Sequence, residues 1–253
     1  NRDFSGLSIA IFNDQGIIWS QGFGYANKEA SIKASADTTY RAGQLGVLFL
    51  AASVFKAQSL GYLDINRPVI DYLPELRLRS GVVPRSITIH SLLSQHSGLP
   101  KDIWNGAWYT DSVNRLDLST LLSNEYLVCT PNTEYVPSNL SFVLIQAIIE
   151  RLTQQPYTQF ISQHFFQPLS LSNTHYSQSF TDNTVAKPYI KQKPQAFIKA
   201  RDIGFIGLNS SVSDIATFGV ALLNQGSYKN TSVLAPSQIS QLLSPQNKNL
   251  PLN

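Results

Sequence analysis

The stretch from Gln44 to Leu60, QLGVLFLAASVFKAQSL, is apolar on nearly every face, with Lys56 and Gln58 as its obvious polar exits. A helix of that kind is buried all round. It is too short to cross a bilayer and is interrupted by Gly61, so the pattern predicts the central helix of a sizeable soluble domain rather than a transmembrane segment. The helix also begins directly after a polar segment, Thr38-Thr39-Tyr40-Arg41-Ala42-Gly43. The first turn of a buried helix that emerges from such a loop is where a nucleophile would sit.

Such a helix needs a large surround, and the 253 residues can supply one, as one large domain or two interleaved subdomains. A single cysteine, Cys129, excludes a disulfide framework and reads as a small buried hydrophobe. The formal charge is only +3 and no dense basic tract accompanies it, which argues against a nucleic-acid partner. The lysines between Lys187 and Arg201 are separated by prolines and aromatics and read as a solvated loop. The four histidines, His90, His96, His164 and His175, have no ligand-like spacing with one another or with Cys129, so no metal site is expected. No other cofactor is expected either.

Two β-rich runs, Gly6–Phe12 and Gly16–Tyr25, flank Asn13-Asp14-Gln15-Gly16 and predict an antiparallel hairpin. A helical turn is expected between Pro68 and Pro74, and a short helix at His90–Ser94 that stops at Ser97-Gly98-Leu99-Pro100. The aromatic run Trp104–Tyr109 reads as a loop over a cleft, and Leu116–Ser123 as another short helix. After Pro131–Asn139 a strong amphipathic helix places Phe142, Val143, Ile145, Ile148, Ile149 and Leu152 on its buried side. Further helices are expected at Tyr157–Phe166, from a cap at Ser213 to Leu223, and at Ala235–Leu243, with little regular structure over Asn173–Arg201. A strand pair followed by a long helical region indicates an α+β chain.

The segments GLSIAIFNDQG, GFGYAN, TTYRAG, GYLDINRPVIDYLPEL, ITIHSLLSQHSGLP, PNTEYVPSN and GLNSSVSDIATFGVALLNQG, in this order, resemble the serine β-lactamases and penicillin-binding-protein-like hydrolases. The nearest group is the branch of class C β-lactamases, D-alanyl-D-alanine carboxypeptidases and esterases. The resemblance implies one β-lactamase/transpeptidase-like domain over residues 1–253. Its hairpin at 6–25 would join an antiparallel sheet with flanking helices, and residues 62–205 would form the mostly helical part. It also implies a periplasmic or other extracytoplasmic address, although no signal segment is read at Asn1, and a peptidoglycan-like or small acyl or amide ligand.

Chemistry in that family rests on Ser-x-x-Lys at the head of the central helix, a Tyr-x-Asn element, and a Lys/His-x-Gly strand. Positions i and i+3 share a helix face, so the lysine amine can take the serine proton. Here the match puts Gln44 at the serine position, Val47 at the lysine position and Pro137 at the tyrosine position, while Asn139 is retained. Glutamine has no ionisable nucleophile and valine carries no proton. The loss of all three groups reads as lost catalysis with a cleft kept for binding or regulation, in which Gln44, Ser138 and Asn139 would face the ligand. The competing reading is an active serine hydrolase with a displaced nucleophile, for which Ser53-Val54-Phe55-Lys56 is a literal Ser-x-x-Lys match deep inside the helix. His96 could serve as a base, but the resemblance implies a structural turn there. No candidate for the third motif is read before Asn253, so the chain is expected to be truncated at its C-terminus and to lack the later sheet strands. The hairpin would then carry an unpaired edge, completed by strands of a partner chain.

Overall fold

The computed structural model describes residues 4–102, 108–109, 118–176 and 185–246. Strands β1 (Gly6–Asn13) and β2 (Gly16–Asn27) form the expected hairpin, and β3 (Ile32–Lys33) pairs with the far side of β2. The Asn13 side chain closes the turn by accepting hydrogen bonds from the amides of Gln15 (2.9 Å) and Gly16 (3.2 Å). One irregularity, between Ile11 and Phe12, shifts the register near the turn.

Strand β4 (Tyr40–Gly43) leads into the central helix α1 (Gly46–Ser59). The helix starts two residues later than the apolar run suggests. Gly43, at φ +58°, turns the chain out of β4, and Gln44 lies in the connection. Phe49 on α1 stacks on Phe218 with ring centroids 4.2 Å apart and meets Phe166 edge-on at 5.4 Å.

Next come α2 (Val69–Tyr72), the short ribbon β5 (Arg77–Leu78) with β6 (Gly81–Val82), and α3 (Ile89–Leu93), capped by Thr88. Strand β7 (Trp108–Tyr109) and helix α4 (Leu118–Leu122) fall in the segments read as a loop and a short helix; residues 104–107 and 116–117 lie outside the described residues. Helix α5 (Asn139–Thr153) is the predicted amphipathic helix and ends at Gln154 in the left-handed region. Helix α6 (Tyr157–Ile161) then widens into a π-helical turn, Ser162–Phe166.

The stretch expected to be irregular holds three two-residue strands, β8 (Tyr189–Ile190), β9 (Lys193–Pro194) and β10 (Lys199–Ala200), the last paired with β7. Residues 177–184 lie outside the described residues. Helix α7 (Ile203–Ile206) precedes β11 (Leu208–Ser210), which pairs with β4. Helix α8 (Val212–Leu223) is capped by Ser211, which accepts from the Asp214 amide at 3.2 Å, so the cap lies two residues before Ser213. Ser211 has the extended backbone that a cap requires, whereas Ser213 is already helical. The ribbon β12 (Ser227–Tyr228) with β13 (Thr231–Ser232) and helix α9 (Pro236–Leu243) follow.

Helix α8 lies against the β1–β2 hairpin so closely that a Cβ on Gly219 would come 2.4 Å from the Phe12 ring. The antiparallel strands are short or confined to the N-terminal hairpin, and helices supply most of the buried core, the α+β arrangement expected from the sequence. Among the described residues β1 is hydrogen-bonded on one side only.

Candidate functional site

The head of α1 is fixed from two sides. Pairing of Asn209 with Arg41 and of Ser210 with Tyr40 ties β4 to β11. A Cβ on Gly46 would lie 3.0 Å from the Phe205 carbonyl and 3.2 Å from the Tyr176 hydroxyl, so α7 packs directly on the first turn. Gln44 is left exposed, on the wall of a cleft of about 860 Å³ that Tyr25, Tyr40, Arg41, Lys187 and Tyr189 also line. The Arg41 guanidinium donates to the Ile198 carbonyl across this cleft. Val47 is half-buried within the first turn of α1 and brings no polar group to the site.

The second predicted element sits at the start of α5. Pro137 is exposed, while Ser138 is buried, donating from its hydroxyl to the Pro100 carbonyl (2.7 Å) and from its amide to the Gln95 side chain (2.5 Å). Asn139 donates from its backbone to the Lys101 carbonyl (2.8 Å) and from its carboxamide to Asp102. The retained asparagine is thus held by a carboxylate, and the serine beside it is used to anchor the Gln95–Asp102 turn. Neither residue lines the cleft that Gln44 borders. Gln95 and Asp102 hold this element in place, and no spacing or pattern in the sequence marks them.

The displaced-nucleophile pair lies elsewhere. Ser53 has 0% exposure, and its hydroxyl donates to the Phe49 carbonyl one turn back, at 2.8 Å. Lys56 is partly buried, and desolvation lowers the pKa of its amine. The Tyr157 hydroxyl packs near Ser53 and Tyr176 without a hydrogen bond of good geometry to either, and burial pushes its pKa well up. Cys129 is half-buried. Among the described residues no group of three His, Cys, Asp or Glu side chains could hold a metal ion.

His96 belongs to the turn that carries the second element. Its carbonyl accepts from the Asn132 amide (2.8 Å), its ring meets Tyr135 edge-on at 5.8 Å, and Nδ1 lies 3.1 Å from the Ser94 hydroxyl. Nε2 is buried without a partner, and burial lowers the pKa of the imidazole, as it does for His164. The unfolded chain, with histidine at about 6.5, therefore takes up protons before the folded one does. Stability is expected to be level above about pH 6.5 and to fall as the pH drops from there through the lowered folded values. Urea denaturation from pH 5 to 8 reads this slope, and His96→Gln is expected to flatten it.

The chain matches the family model described as Beta-lactamase over residues 1–250. It is 31% identical to Protein flp of Staphylococcus aureus (strain MW2) over 175 residues, 69% of this chain and 35% of that protein. It is 26% identical over 240 residues to the putative penicillin-binding protein PbpX of Bacillus subtilis (strain 168), covering 89% of this chain and 58% of the relative. The chain thus spans less than two thirds of the length of either curated relative. Among solved structures it resembles the octameric penicillin-binding protein homologue from Pyrococcus abyssi, with TM-score 0.73, 24% identity, and coverage of 93% of this chain and 55% of that one. It also resembles a class C beta lactamase from Rhodobacter sphaeroides, with TM-score 0.75, 23% identity, and coverage of 93% and 65%. At these identities the two structures speak to the fold, which is β-lactamase/transpeptidase-like.

Proposed function

The chain belongs to the beta-lactamase family, and on that premise we propose that it binds an acyl or amide ligand, of the kind a peptidoglycan peptide presents, without bonding to it covalently. The observation that carries this reading is the exposed Gln44 at the entrance to α1 with Val47 in the turn behind it. A carboxamide can donate to and accept from an amide ligand, but it cannot attack a carbonyl, and valine cannot accept a proton. The complete burial of Ser53 supports the same reading, because a substrate carbonyl has no route to its hydroxyl.

Ligand would enter the Gln44 cleft between the tyrosine-lined wall and the segment around Lys187–Ile198. Asn139 and Ser138, held to the Gln95–Asp102 turn, lie off the lining of this cleft and would leave recognition to Gln44 and its neighbours. The work of such a protein is recognition or regulation in an extracytoplasmic compartment; no helix among the described residues is long and apolar enough to cross a membrane.

Equilibrium dialysis with a fluorescent penicillin and with a peptide ending in D-alanyl-D-alanine tests it. The expected result is saturable binding that denaturation fully reverses. Gln44→Ala is expected to weaken binding about tenfold, the worth of one net hydrogen bond. An adduct that survives denaturation, or no binding of either probe, overturns the proposal.

A further inference from the structure

Residues 185–195 lie on the turn that joins β2 to β3. With the sheet ordered β1-β2-β3, that turn is on the side opposite the open edge of β1. The Lys187 amide donates to the Ala26 carbonyl (2.8 Å), and the Tyr189 hydroxyl accepts from the Lys28 amide (2.8 Å) and donates to the Glu29 carboxylate (2.8 Å). The Lys28 ammonium donates to the Gln192 carboxamide. In the β8–β9 ribbon Tyr189 is opposite Pro194 and Ile190 opposite Lys193, so Lys191 and Gln192 alone form the turn. Both sit in the left-handed region, at φ +47° and +66°, a two-residue hairpin turn that glycine and asparagine adopt at lower cost. Successive strand side chains point to opposite faces. With Tyr189 turned toward β2, Ile190 and Lys193 project from the other face, and Lys191 stands at the tip.

Residues 25–33 and 185–195 together hold five lysines, Lys28, Lys33, Lys187, Lys191 and Lys193, and one carboxylate, Glu29. Spaced along the sequence, the later lysines read as a solvated loop; the fold joins them to Lys28 and Lys33 from a distant segment. Glu29 is already engaged by the Tyr189 hydroxyl and lies 3.6 Å from the Lys187 ammonium. Lys33 stands over the Tyr25 ring at 3.7 Å. Lys191 and Lys193 are exposed, and among the described residues neither meets a carboxylate. Beside them Ile190 is 62% exposed, and Ile198 of the same segment 49%. A soluble anion would use the charge and leave both isoleucines in water. An anionic bilayer answers both features, since it sets phosphates and an apolar phase side by side.

We propose that the β8–β9 ribbon docks the protein on the surface of a bilayer that contains anionic phospholipid. Ile190 enters the boundary between headgroups and acyl chains, and the ammonium groups of Lys191 and Lys193 meet the phosphates around it. Lys28, Lys33 and Lys187 add attraction at longer range. The two-residue turn holds these groups in place before contact, so little ordering is left for docking to impose. Ile190, Lys191 and Gln192 also line the cleft that Gln44 borders, so docking sets the mouth of that cleft beside the bilayer. The inference needs no occupant in the cleft and stands apart from the ligand reading.

Co-sedimentation with vesicles of phosphatidylcholine alone, and of phosphatidylcholine and phosphatidylglycerol in equal parts, tests it. Binding to the mixed vesicles is expected to be at least about tenfold the stronger and to weaken as salt is added. Lys191→Gln together with Lys193→Gln should lower the partition coefficient about thirtyfold, roughly fivefold for each charge. Lys229→Gln with Arg79→Gln, the same charge lost elsewhere, should change it by less than about twofold. Ile190→Ser should weaken vesicle binding about fivefold and leave binding of soluble polyphosphate unchanged. The lipid and salt comparison on the unaltered chain decides the matter if a variant does not fold. Equal binding to the two kinds of vesicle, or none to the mixed ones, overturns the proposal. So does a chain that takes up polyphosphate while its vesicle binding ignores Ile190→Ser, since the patch then serves a soluble polyanion.

Discussion

Phe49→Ala is expected to lower the free energy of unfolding by about 3–5 kcal/mol, the usual cost of removing a buried aromatic ring from a core that only partly collapses. Phe49 is 2% exposed, and its ring touches Phe218 of α8 on its face and Phe166 of the π-helical turn on its edge. Those contacts join the sheet-bearing part of the molecule to the helical part. Removing the ring opens a cavity where the two meet, so neither half can close it by a local shift. Leu45→Ala, four residues earlier on a half-exposed side chain, is expected to change stability by less than about 0.5 kcal/mol. Urea denaturation of both variants checks the contrast, and equal small losses would mean that α1 is not the centre of the core.

The burial of Phe49 was legible in the sequence, because an all-round apolar run reports its own burial, but the exposure of Leu45 was not, since it belongs to the same run and lies just before α1 begins. The hairpin was legible for a similar reason, since alternating β-formers around Asn13-Asp14-Gln15-Gly16 encode both strands and the turn locally. Elements made by distant partners left no such trace. Strand β7 exists because residues 199–200 pair with it, and β4 because 208–210 do; runs of two to four residues carry no period of their own. The cap of α8 was misplaced by two residues because both Ser211 and Ser213 have the right chemistry, and backbone conformation alone chooses between them. In the site, Gln44 was placed by its neighbours in sequence. The bonds from Ser138 to Gln95 and from Asn139 to Asp102 span a turn whose path the sequence does not declare.

The largest chemical effect is expected in acylation. Fluorescent penicillin should leave no adduct on the unaltered chain, detected by intact-mass spectrometry after denaturation, because loss of the nucleophile of such a device costs about 10⁶ in kcat. Gln44→Ser together with Val47→Lys should produce a slow but measurable adduct at residue 44. The new serine would stand exposed on the cleft wall and the lysine within the first turn of α1, where half-burial disfavours the charged amine and leaves it able to take the serine proton. Gln44→Ser alone should remain inert, since an unassisted hydroxyl is a weak nucleophile. With Pro137 still supplying no second proton carrier, the double variant should fall orders of magnitude short of a full device. An adduct on the unaltered chain would end the reading of Gln44 as a binding group. A folded double variant that stays unlabelled would show that position 44 does not face the reacting bond.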